Sequence, residues 1–428
     1  MKGKIDMQKQ SNTTIQKLST LIVFYFALAS VFPPIQAFNR YNLSCFIAMM
    51  LWIICVLISN PKFFIQGQLH IKVLMFFMIY TFFLAYIFGN GVIGNRYLAY
   101  GQTLVFYLIY QYNHFYGYDN SSRAIIMWIF PFMIITSFIT LTRLMENPYL
   151  SRIMTNSEDL TKELHRQCVG GYEFVFFLAM ITVILMFIIF NKKQLKLTSK
   201  SWLAFLVLLL LFVLTVIFSN YFTAFIIIIV SFFILIITKK RNSNRVLVVT
   251  ALGILLIIQI KHILVSLTNF LINILGSGKT VDRIITFQSN LLGNGSGESL
   301  LTERMWTFQT SIDAFIHNPL FGVVAKPIEF SGSYLVGFGQ HSQILDTFSL
   351  YGLFIGLLNI YIIVQPFIKR MKLNKILLSL NLAIMVATLI LLVMDNATTS
   401  IGFAIFFIYP VVYDFYLDRI NKQGEAKS

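Results

Sequence analysis

The sequence predicts an all-α, polytopic membrane protein, and three observations carry that prediction. Of the 428 residues, 57% are hydrophobic and only 12% charged, with a mean hydropathy of +0.76, far too apolar for a water-soluble domain. The apolar residues fall in runs near the length, about 20 residues, at which a helix crosses a hydrocarbon core. The 33 lysines and arginines lie mostly in short segments between those runs, where topology signals occur. The net charge of +16 is therefore topological, and no nucleic-acid partner is needed to explain it. A single membrane domain over residues 1–428 accounts for the chain.

Taken in order, apolar runs bounded by charge or turn residues predict about twelve transmembrane helices, at 18–38, 42–59, 71–88, 97–113, 124–141, 172–190, 202–218, 221–238, 246–261, 343–367, 376–394 and 401–417. The start resembles a signal peptide, but its apolar run continues to Phe38 and more spans follow, which favours an uncleaved first helix. With the N-terminus inside, two thirds of the basic residues fall on the cytoplasmic side, and the even count places both termini there. Two outer loops are then long, at about 142–171 and 262–342. In the second, Ile263, Leu264, Leu267, Phe270, Leu271 and Ile274 are spaced for an amphipathic helix on the membrane surface. A further helix is predicted from Thr302, as N-cap, to Ile316, where His317-Asn318-Pro319 ends it because the residue before proline disfavours the α region. Cys45 and Cys55 would stand about 15 Å apart on one helix, too far to bridge, and Cys168 is alone in a loop, so no disulfide is expected.

Chemistry-bearing residues concentrate in those outer loops. There is no P-loop, His/Cys cluster, Asp-x-Asp pair or Gly-x-Ser-x-Gly elbow in the sequence, and a metal-free mechanism with no cofactor is the expectation. What the loops do carry is arginine: Arg143, Arg152 and Arg166 in the first, Arg283 and Arg304 in the second. A guanidinium binds phosphate oxygens as a bidentate fork and suits a diphosphate where no metal does so; each could equally be a solvated charge or a headgroup anchor. His341, in Gly339-Gln340-His341-Ser342, could take or orient a hydroxyl proton, or simply start a helix. Asp346 shares a helix face with Ser342. A carboxylate entering a span is a site candidate, and it could instead hold a neighbouring helix. Tyr172, after Gly170-Gly171, suits either sugar stacking or the aromatic belt, while Glu298 and Glu303 are further candidate bases.

One set of residues resembles a known family. Arg304 ahead of Asn318-Pro319-Leu320-Phe321-Gly322, then Gly339-x-His341, Leu345 and Tyr351-Gly352, is similar to the hallmark region of the O-antigen polymerase and O-antigen ligase superfamily. Asn147-Pro148, Arg152, Arg166 and Gly170-Gly171-Tyr172 look like the polymerase branch (Wzy type) of O-antigen, capsule and exopolysaccharide clusters. The resemblance implies a glycosyltransferase C-like fold in a bacterial cytoplasmic membrane, with the site facing outward. It implies metal-independent joining of undecaprenyl-diphosphate-linked oligosaccharide units, with the lipid bilayer, a chain-length regulator and a flippase as expected partners. By motif, Arg304 and His341 would serve the diphosphate and acceptor site, and the family's first-loop arginines correspond to Arg152 and Arg166. Asp346 stands beside them as a catalytic candidate, and Arg283, Tyr172 and Trp306 join the first-loop arginines as candidate substrate-binding residues. Ligases tend to carry tryptophan four residues after the arginine and His-Asn. Here Phe308 is at that place, Trp306 is nearer, and His341 precedes Ser342, which leaves the polymerase ahead. The ligase that moves finished glycan to a lipid A core is the alternative, and a flippase or secondary transporter is the rival from another class. Arg152 and Arg166 are expected to fold over the stretch Thr302–Gly356 to complete the site.

Overall fold

Apolar runs that cannot leave backbone groups unpaired in hydrocarbon form helices, and the computed structural model of the protein is helical nearly throughout. It describes residues 2–425 except 39–40, 67, 88–90, 148–149, most of 240–299, 326–329, 332–333, 336–338, 372 and 375. The first half holds α1 (Lys2–Val31), α2 (Pro33–Gln36), α3 (Tyr41–Ser59), α4 (Lys62–Gln66), α5 (Leu69–Ile87), α6 (Gly91–Phe115), α7 (Asp119–Glu146), α8 (Leu150–Asn156) and α9 (Glu158–Arg166). After these come α10 (Tyr172–Phe190), α11 (Ser199–Phe218), α12 (Phe222–Lys239), α13 (Leu300–His317), α14 (Gln343–Met371), α15 (Leu378–Met394), α16 (Thr399–Gly402) and α17 (Tyr409–Glu425). A π-type widening over Phe403–Ile408 joins the last two, and a short antiparallel ladder pairs Phe330–Ser331 with Tyr334–Leu335.

Among the described residues, eight helices are long and apolar enough to span a membrane, and Thr223–Thr238 and Leu378–Met394 are shorter apolar helices. The protein is thus an all-helical, multi-pass membrane protein. The predicted span 246–261, the amphipathic helix near 263–274, Arg283 and Glu298 fall wholly or largely outside the described residues. Pro33-Pro34 ends the first apolar helix earlier than the sequence suggested, since α1 stops at Val31. Thr302 lies inside α13 instead of capping it; the Asn318-Pro319 stop is where the sequence puts it.

The hydrophobicity of each helix explains its place. α11 has the highest mean hydropathy of the spans, 2.9, yet only 17% of its window is buried in protein, as expected where the solvent is lipid. α10 is apolar all round and is buried along nearly its whole length between α11, α12 and α15. α6 is the reverse case: it carries five tyrosines with Arg96, Gln102, Gln111 and Asn113, and it misses the hydropathy of a free-standing span. Several of its polar groups are satisfied inside the bundle. Tyr97 Oη meets Thr347 Oγ1 at 3.2 Å, Tyr100 Oη donates to Asn359 Oδ1 at 2.5 Å, and Asn113 Nδ2 donates to Ser122 Oγ at 2.9 Å. Such bonds hold a polar helix in a core that hydrocarbon surrounds.

Alternation of the helices sends the long segments 147–171 and 300–342 to one end of the bundle, here the loop end. Lys62, Lys192, Lys196 and Arg370 gather at the other, the basic end.

Candidate functional site

At the loop end, an arginine at the start of α6 meets the first turn of α14. Asp346 is fully buried and pairs with the Arg96 guanidinium, whose Nη2 also donates to Asn396 Oδ1 in the turn after α15. The second carboxylate oxygen of Asp346 accepts from Ser311 Oγ on α13 at 2.6 Å, and the first accepts from the Ser342 N–H at 3.2 Å. One carboxylate therefore binds α6, α13 and the entry to α14. Buried charge is tolerated only when paired and hydrogen-bonded, and both conditions are met.

The segment before α14 is threaded through this cluster. Gly339 N–H donates to Ser311 Oγ at 2.8 Å, and the Gln340 carbonyl accepts from Asn396 Nδ2 at 2.8 Å. Gln340 takes a left-handed φ of 66°, which a non-glycine residue adopts only when its surroundings fix it. Ser342 Oγ then caps Leu345 N–H at 3.1 Å. His341 is held between these anchored neighbours with its own side chain exposed.

The Asn-Pro and Tyr-Gly elements prove to be two sides of one contact. α14 is broken at Gly352, whose φ of 78° and ψ of −175° leave the helix. The freed N–H of Leu353 donates to the Pro319 carbonyl at 2.7 Å. Gly322, at φ 69°, faces back: a Cβ there would lie 2.2 Å from the Leu350 carbonyl, and a Cβ on Gly352 would lie 2.2 Å from the Leu320 carbonyl oxygen. The two backbones touch where only glycine fits. α13 is thereby locked to α14 at both ends of its last two turns, by Ser311 to Asp346 and by Pro319 to Leu353.

The remaining sequence-predicted residues are more dispersed. Trp306 is 67% exposed on α13, and Arg304 lies within that helix. Arg152 is on α8, while Arg166 is exposed in the last turn of α9. Tyr172 packs its ring against Phe176 and Tyr221, with centroids at 4.7 and 5.4 Å, the aromatic-belt arrangement. Arg143 pairs with Glu146 at 3.0 Å and reaches Gln167 at 3.3 Å. α9 packs on α2 and α8, and α8 on α7, so the contacts that seat the first loop are made with the α2 and α7 corner. Arg96, Asn396 and Ser311 were not singled out from the sequence. The available signal for Arg96 was a lone cation at the mouth of a tyrosine-rich span, where an ionisable group is a functional candidate.

His165 is a titratable group that this packing alters. Its ring sits beside Gly171, where an added methyl would come within 3.0 Å of Nε2, and that nitrogen is buried with no hydrogen-bond partner among the described residues. Burial disfavours the imidazolium and holds the pKa down at about 4, against an ordinary 6.5. The unfolded chain binds the proton more readily, so this contribution to stability is complete above about 6.5 and is lost as pH falls toward 4. Thermal melts of the detergent-solubilised protein across that range should show a steeper acid loss for the natural chain than for His165→Gln. Parallel curves would remove His165 as the cause.

Together these features define a multi-pass helical membrane protein whose loop end carries a buried ion pair beneath an exposed histidine. Compared with known proteins, the chain matches no protein-family model and no curated protein.

Proposed function

We propose that the protein is a polysaccharide polymerase that joins undecaprenyl-diphosphate-linked oligosaccharide units at the outer face of a bacterial cytoplasmic membrane. In this reading the chain has twelve spans and cytoplasmic termini, and the loop end faces outward. The observation that carries it is the Arg96–Asp346 pair, which fixes α13, the helix of Arg304, against the segment that presents His341. The two residues on which the family resemblance rests most heavily are thus carried by elements that this pair joins.

In the proposed reaction a hydroxyl of the acceptor unit attacks the anomeric carbon of the glycan on its lipid diphosphate. A new C–O bond forms as the bond to the diphosphate breaks, and single displacement inverts the centre. His341 accepts the hydroxyl proton, and Arg304, with Arg152 and Arg166 from the first loop, binds the diphosphate as it gains charge. Asp346 is assigned to positioning, because its oxygens are already committed to Arg96, Ser311 and Ser342. Surface glycan from cells carrying Arg304→Ala or His341→Ala should collapse to single repeat units, a loss of at least about a hundredfold in chain growth, with the variant still in the membrane. Long-chain glycan at natural levels from both would overturn the assignment. A bare lipid A core in the deletion strain would favour the ligase.

A further inference from the structure

At the basic end, α4 is a short helix between two spans, and its sequence Lys-Phe-Phe-Ile-Gln places one cation beside apolar residues. Phe63 is buried and meets the Tyr112 ring edge-on with centroids at 5.3 Å, and Tyr112 Oη in turn accepts from Asn60 Nδ2 at 2.9 Å. This packing leaves a small open pocket between α4, the start of α5 and the end of α6.

The lining is specific in chemistry. Lys62 lines it, and Gln68, which also lines it, accepts from a second cation, Lys369 Nζ, at 2.9 Å. Gln111 also lines the pocket; its side chain is only 8% exposed and makes no hydrogen bond among the described residues. Its amide is therefore able to donate to a ligand that enters the pocket. None of the lining residues is acidic, and Phe63 and Phe115 provide an apolar wall. The pocket lies level with the ends of the spans Tyr41–Ser59 and Leu69–Ile87, where a bilayer presents its headgroups.

We infer that this pocket binds the phosphate group of an anionic phospholipid, with Lys62 and Lys369 neutralising it and Gln111 donating to it. The inference is independent of the glycan reading, and its test uses no glycan. The full chain, purified in a neutral detergent, is titrated with phosphatidylglycerol or phosphatidylcholine, and bound lipid is counted by native mass spectrometry. One phosphatidylglycerol should be retained in preference to phosphatidylcholine. Lys62→Gln and Lys369→Gln should each weaken retention about fivefold, and Gln111→Leu should weaken it without lowering the melting temperature of the lipid-free protein. Equal retention of the two lipids, or unchanged retention in the double lysine variant, would overturn the inference. Displacement of phosphatidylglycerol by inorganic phosphate at matching concentration would overturn it too, by showing a site for the free anion.

Discussion

Arg96→Met is expected to lower stability by about 3–5 kcal/mol and, if the proposed polymerase reading holds, to stop chain growth, although Arg96 belongs to none of the sequence elements that suggest that reading. The magnitude follows from what is left behind: Asp346 has no exposure, and a buried carboxylate stripped of its counter-charge loses far more than the pair contributes. Adding Asp346→Leu should restore part of the loss, because no charge is then stranded. The double variant should fall short of additivity by at least about 1 kcal/mol. Chain growth should not return, since Ser311 and the Ser342 N–H lose the acceptor that sets α13 against the His341 segment. Chemical unfolding of the four proteins in one detergent, with surface glycan from the same strains, measures both effects. Additive stabilities would mean that Arg96 and Asp346 do not depend on each other. Active glycan synthesis by a stable double variant would detach the pair from function.

That pair also shows where sequence reading stops. The helices were legible because hydrocarbon leaves one secondary structure for an apolar run, and even α6, despite its tyrosines, kept enough of a run for 97–113 to be read as a span. The tyrosines are polar on one side of the question and apolar on the other, so their placement in the core, against Thr347, Asn359 and Asp414, could not be read from hydropathy. Asp346 was legible as a carboxylate where a carboxylate is expensive, with two roles open. Its partner lies 250 positions away, and no local pattern links an arginine at one helix start to an aspartate at another. The loop arginines read as candidate diphosphate ligands from their residue type alone, while the seating of the first loop mainly on α2 and α7 is a tertiary choice that its composition does not encode. The Asn-Pro and Tyr-Gly elements were legible as motifs; that they are the two faces of a single backbone contact was not.

Gly352→Ala should be strongly disruptive for a single added methyl. At φ 78° an alanine is strained by about 1–3 kcal/mol before any neighbour is considered. Its Cβ would also lie 2.2 Å from the Leu320 oxygen and 2.4 Å from the Leu320 carbonyl carbon, backbone atoms that no rotamer change can move. Separating the two backbones of this contact breaks the Leu353 to Pro319 bond and leaves that N–H without its partner, a further ~1–3 kcal/mol. A total near 4 kcal/mol is the expected order. Trimming Leu320 to alanine should give no relief, because the clash is with its carbonyl. Gly356, on the same helix, provides the contrast. A Cβ there meets the Phe348 ring at 2.3 Å, but the obstacle is a side chain and the backbone is ordinary, so Phe348→Ala should rescue much of the loss from Gly356→Ala. If Phe348→Ala or Leu320→Ala rescued both glycine variants equally, the contact at Gly352 would be side-chain packing, and the interlock of α13 with α14 would lose its backbone basis.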